Sequence, residues 1–262
     1  RLRGTSSLAD QTGLLRRSVA KLEYDLGRGD KLGALFENRR IVWVTTLVSG
    51  YLSHFYPKWL FLAGDNARHH APDMGMLYLW ELPFLLWGMF VVARKGGPVA
   101  ILLWGWLFVA PLAAAPTTEL PHSIRTLVFL PVFQIFTAFG VVRALSVIRT
   151  NRYQKTLVLL VASGYLLFIL GNVVYYTHMY FAHTNHEYSK YWQFGYKEAV
   201  AYAQEVQGKY QKIVVSTNLE QPHMFFLFFL RYDPVAYLRE GGTASGGFAE
   251  VRNRFDIYEF RP

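Results

Sequence analysis

Between residues 76 and 177 the sequence carries four apolar runs, at 76–93, 98–115, 126–142 and 157–176, parted by short polar loops. About 20 apolar residues match the hydrocarbon thickness of a bilayer. In lipid, each backbone amide and carbonyl must be satisfied within the protein, so such runs are expected as helices. The expected fold class is therefore mainly α, a polytopic membrane protein with about four transmembrane helices, followed by a small carboxy-terminal α/β extracytoplasmic domain. Mean hydropathy over the chain is only +0.15, because polar flanks offset the apolar middle.

The short loops orient the spans. Arg94 and Lys95 join the first two runs, and Arg143, Arg149, Arg152 and Lys155 lie between the last two, whereas the loop between runs two and three holds only Arg125. Basic loops stay in the cytoplasm. Residues 1–75, the 116–125 loop and everything after Tyr176 are thus expected outside the plasma membrane. The net charge of +9 fits the same setting. Basic nucleic-acid proteins do not carry several long apolar runs, so anionic lipid head groups or lipid phosphates are the expected partners, not nucleic acid. The chain has no cysteine, which excludes disulfides and thiolate metal sites.

Three segments follow from this pattern: an extracytoplasmic stretch at 1–75, a helical membrane region at 76–177 and an outer domain at 178–262. In the first, Leu8, Leu14, Leu15, Val19, Leu22, Leu26, Leu32, Leu35 and Phe36 recur at helical spacing, with a break at Gly27 and Gly29. One or two amphipathic helices packing on their neighbours are expected, or else lying on the membrane surface. Residues 41–60 are apolar but interrupted by His54 and Lys58, which suits an interfacial or re-entrant segment. In the last segment a helix at 192–210, a strand at 212–217, a helix at 220–232, a glycine loop at 241–247 and a strand at 255–260 are expected. The glycines lack the lysine of a phosphate loop, which argues against nucleotide binding.

Polar residues concentrate in two boundary stretches. One holds Asp65, Arg68, His69, His70 and Asp73, with Glu81 just beyond; the other holds His122 and Arg125. Such groups are costly in hydrocarbon and must face water or protein. Arginine offers a planar fork that matches phosphate oxygens, so Arg68 and Arg125 are candidates to hold a lipid-linked phosphate, with snorkelling to head groups as the alternative. His122 and Arg125 share a face if the third membrane helix starts early. His54, Asp65, His69, His70 and Asp73 are metal-compatible types without the helical His-x-x-x-His spacing of a metal motif, so a divalent metal is a secondary expectation. Glu81, inside an apolar run, must face protein or water.

The residues Tyr51, His54, Leu60, Phe61, Gly64, Asp65, Arg68, His69, Pro72 and Gly75, followed by Glu81-Leu82-Pro83, resemble in order the middle region of bacterial membrane glycosyltransferases of the GT-C superfamily. These are the group similar to protein O-mannosyltransferases and to the lipid A aminoarabinose transferase. His122, Arg125 and Pro131 resemble the family's later outer loop. Trp192, Gly195 to Glu198, Glu220 to Pro222 and Tyr232 to Pro234 resemble its outer domain. The resemblance implies transfer of a sugar from a polyprenyl-phosphate donor to a protein, lipid or glycan acceptor on the outer face. Asp65, Arg68, His69, His70, Glu81, His122 and Arg125 are the residues expected to bind the substrate or lipid phosphate. The family's catalytic carboxylate lies in an earlier outer loop, and no acidic residue here matches it. With Arg at its first position, the chain is expected to be the later part of a longer protein. A non-enzymatic membrane protein, such as a lipid carrier or polysaccharide-export subunit, is the alternative, as is a membrane-anchored binding domain.

Overall fold

The computed structural model describes residues 13–147, 152–218, 221–243 and 253–261. Leu8, Arg149, Glu220 and most of the 241–247 loop lie outside the described residues. The chain is mainly helical with one small sheet and divides into two compact units, Arg1–Ala182 and His183–Pro262. Residues on both sides of position 75, among them Trp59, Leu60, Leu77 and Leu85, share one apolar core.

In the first unit α1 (Leu14–Gly27) and α2 (Lys31–Phe36) break at Gly29, and Asp30 caps α2 through the Leu32 amide. Ser18 Oγ donates to the Glu37 carbonyl at 2.6 Å, tying the two helices together. Their apolar residues Val19, Leu26, Leu32, Leu35 and Phe36 nevertheless stay exposed, which corrects the expectation that this face is buried by its neighbours. α3 (Arg39–Ser53) follows, capped by Asn38, and a π-turn at Trp59–Ala63 ends at Gly64. There the backbone turns with φ 62°, ψ −156°, a region open to glycine, and a Cβ would lie 2.2 Å from the Met74 carbonyl.

The four apolar runs are all helical, in α4 (Leu82–Lys95), α5 (Gly97–Val109), α6 (Leu130–Val147) and α7 (Arg152–His178). Among the described residues two helices, Leu127–Ser146 and Gln154–Glu187, are long and apolar enough to cross a membrane by length and composition. The expectation from sequence is about four spans. α4 has 14 residues, because Pro83 is tolerated only in a first turn, and a 3-10 turn at Leu79–Glu81 precedes it. The apolar helix Gly97–Ala113 is also shorter than the usual span. None of the apolar window of Gln154–Glu187 is buried within the protein, and Ile101 and Leu102 of α5 are exposed too. An uncovered apolar face of this kind is a surface for lipid or for another protein.

α4 and α6 form the tightest contact of this unit. A Cβ on Gly88 would lie 1.8 Å from the Phe136 carbonyl, and one on Gly140 1.9 Å from the Phe84 carbonyl. The core beside them is aromatic and aliphatic, with Leu85, Phe129, Val132 and Phe136 nearly free of solvent.

In the second unit α8 (Thr184–Glu187), α9 (Tyr196–Val206), α10 (Pro222–Leu230) and α11 (Pro234–Arg239) accompany β1 (Ile213–Ser216), β2 (Asn253–Phe255) and β3 (Tyr258–Arg261). The sheet order is β1-β3-β2, with β3 parallel to β1 and antiparallel to β2, Ile213 facing Tyr258 and Asn253 facing Phe260. The single strand expected at 255–260 is a hairpin instead: Asp256, at φ 47°, adopts the left-handed turn conformation that Asp tolerates. α11, capped by Asp233, is unforeseen. Val200, Phe226, Phe255, Tyr258 and Phe260 form the core of this unit.

Candidate functional site

Two loops distant in sequence meet in the first unit. Asp65 follows the glycine turn at the end of the π-helical segment, and Ser123 lies in the loop between α5 and α6. The Ser123 amide and hydroxyl both donate to Asp65 Oδ2, at 2.7 and 2.5 Å. The Asn66 amide donates to Asp65 Oδ1 at 2.7 Å. Burial alone would raise the Asp65 carboxyl's pKa. The Ser123 hydroxyl and amide, the Asn66 amide and nearby His69 together outweigh burial and hold it below the usual range.

Two imidazoles flank this carboxylate. His69 Nδ1 stands 3.3 Å from Asp65 Oδ2 and His122 Nδ1 3.9 Å from it. Their rings stack at 4.5 Å with a 23° interplanar angle. His122 is buried, and its Nδ1 has no hydrogen-bond partner among the described residues. Burial first, then the charge of Arg125, lowers the pKa of the His122 imidazole despite the opposing pull of Asp65.

A third histidine fastens the arrangement from behind. His54, at the end of α3, is fully buried. Its Nδ1 lies 2.9 Å from the Gly50 carbonyl and must carry the proton there, which leaves Nε2 to accept the His122 amide at 3.5 Å. His54 is therefore a backbone anchor. His70 has a similar role: its Nδ1 donates to the Ala71 carbonyl at 2.8 Å, and its ring packs against Gly64. Asp73 is exposed. Of the expected metal-compatible group, Asp65 and His69 come together, and His122 completes the set from another loop.

Arg125 Nη1 donates to Thr117 Oγ1 at 2.8 Å and to the Thr118 carbonyl at 2.6 Å, closing its own loop while its charge reaches His122. Residues 122–126 form turns before the helix, with the Thr126 hydroxyl donating to the His122 carbonyl at 2.7 Å. The shared helical face expected for His122 and Arg125 is thus replaced by a turn. Arg68 is half-buried on the turn that carries His69, its amide held by the Asn66 side chain at 3.0 Å. Glu81 is buried at the start of α4, with Oε2 lacking a partner among the described residues, and next to it the Tyr165 hydroxyl donates to the Trp80 carbonyl.

Beside the cluster runs a groove of about 690 Å³, lined chiefly by apolar side chains of α3 such as Val44, Val48 and Leu52. Tyr56, Lys58, Trp59, Gly64 and Pro121 complete its wall. Gly64 and Pro121, which line the groove, immediately precede Asp65 and His122, so the groove adjoins the two loops that carry the cluster. Ser123 and the groove-lining position of Lys58 escape sequence reasoning, since nothing in the spacing ties either to residues far along the chain.

No family model, characterised protein or solved structure matches this chain.

Proposed function

We propose that this chain is part of an integral-membrane glycosyltransferase that moves a sugar from a polyprenyl-phosphate donor to an acceptor on the outer face of a bacterial or archaeal plasma membrane. The observation that carries this reading is an apolar groove whose wall includes Gly64 and Pro121, the residues just before Asp65 and His122 of the polar cluster. A polyprenyl tail suits a long apolar trough open to lipid. A phosphate suits the polar side of this groove: Lys58 lines it, and the loops that begin at Gly64 and Pro121 carry His69, His122 and Arg125. The exposed apolar helices agree with a bilayer setting.

The chemical role of these residues follows from position. Transfer leaves negative charge on the departing lipid phosphate, and cationic donors fixed beside it lower the barrier. Deprotonation of the acceptor needs a carboxylate, and the resemblance assigns that role to no acidic residue here. Arg125, already bound to Thr117 and Thr118, is held in place before any substrate arrives.

The test is sugar transfer by the full-length protein from a polyprenyl-phosphate-linked donor. Lys58→Ala and Arg125→Lys are expected to lower turnover, the latter by roughly 100-fold, because lysine cannot make the arginine's forked contacts. Wild-type turnover in both variants would contradict the assignment. A protein that binds the lipid phosphate but transfers no sugar fits the carrier reading.

A further inference from the structure

We infer that Asp65, His69 and His122 form the ligand set of a divalent metal site of the zinc class, joining the loop after α3 to the loop before α6. One ligand atom from each residue lies within 4.8 Å of the other two. Around a tetrahedral ion with bonds of about 2.0–2.1 Å, ligand atoms stand roughly 3.3 Å apart. His69 Nδ1 and Asp65 Oδ2 are already at 3.3 Å and His122 Nδ1 is 3.9 Å from the same oxygen; because the two rings are stacked at 23°, one of them must rotate for both nitrogens to meet one ion in their ring planes.

A second observation points to an ion. His122 is 6% exposed, yet its Nδ1 makes no hydrogen bond among the described residues. A proton donor facing a carboxylate closes to about 2.9 Å, and this nitrogen does not. A buried polar atom left bare is destabilising, and a metal bond removes that penalty. The supporting groups are also those of a ligand site. Ser123 orients the Asp65 oxygen through two donors, and His54 holds the His122 backbone. Two imidazoles and one carboxylate leave at least one coordination position for water or a phosphate oxygen. This inference rests on ligand geometry alone and stands apart from the transferase reading.

The experiment uses the full chain, purified in detergent and stripped of metal. Zn²⁺ binding is followed by calorimetry, and Co²⁺ is bound as a spectroscopic probe. One equivalent of Zn²⁺ is expected, abolished in His69→Gln and His122→Gln and weakened about 10-fold in Ser123→Ala. His183→Ala/His186→Ala, in the second unit, should bind as wild type does. The Co²⁺ form of the wild-type protein should show the intense visible absorption of a four- or five-coordinate ion, a readout independent of whether any variant folds. A wild-type protein that gives only the weak spectrum of hydrated Co²⁺, or folded His69→Gln and His122→Gln variants that bind Zn²⁺ undiminished, would overturn the site. Because His69 and His122 also belong to the proposed phosphate site, sugar transfer by the Lys58→Ala and Arg125→Lys variants tests that reading separately.

Discussion

Gly140→Leu is expected to abolish the folded first unit. At Gly140 even a single methyl would sit 1.9 Å from the Phe84 carbonyl, and the reciprocal position, Gly88, would meet the Phe136 carbonyl at 1.8 Å. Both obstacles are backbone, so no rotamer change relieves them; α4 and α6 must part. Overpacking a well-filled core typically costs about 1–3 kcal/mol, and here the loss falls at or beyond the upper end. It spreads further because Leu85, Val132 and Phe136 share the contact and lose their packing together. Small residues at such crossings let helix backbones approach where lipid supplies little hydrophobic drive. The measurement is the yield of monodisperse protein in detergent, with limited proteolysis. Gly105→Ala and Gly164→Ala are the matched controls, because their helices leave open space where a Cβ would stand. They should be neutral or gain up to about 1 kcal/mol. Equal yields for Gly140→Leu and the controls would contradict the close crossing.

Asp65→Ala is expected to lower stability by about 3 kcal/mol. It strands the Ser123 amide and hydroxyl, two donors in a buried place, and removes the charge that faces two imidazoles. Because the Asp65 carboxyl's pKa is depressed in the folded state, its contribution is present in full above the unfolded value of about 4 and is lost as pH falls through the lower folded value. The melting-temperature gap between wild type and Asp65→Ala should therefore be constant near neutrality and shrink below about pH 4. A gap that widens on acidification would show that the carboxyl is not held in its ionised form.

Much of the helical layout was legible, and the site only in outline. The apolar runs announce α4 to α7 because burial in protein or lipid leaves the same mark on composition. They overstate the length of the first run, since Pro83 and the turn at Leu79–Glu81 take up its beginning. The knot around Asp65 and His69 stands out because charged groups beside a long apolar run need a reason. Its partners do not stand out. Ser123 reaches Asp65 across 58 positions, and the His122 amide reaches His54 across 68, separations that leave no periodic signal. Arg125 was legible as a cation near a membrane, but its bonds to Thr117 and Thr118 depend on loop geometry alone. The hairpin at Asp256 was missed because a left-handed Asp has no mark in the hydrophobic pattern.

The most direct measurement is photo-crosslinking of the full chain in lipid nanodiscs with a polyprenyl monophosphate that bears a photoreactive group in its first isoprene units. The account predicts adducts in residues 44–59 and at 121–122, competed away by unlabelled polyprenyl phosphate and reduced in Lys58→Ala. Labelling spread along the exposed faces of α5 and α7, with the groove untouched and no competition, would contradict it.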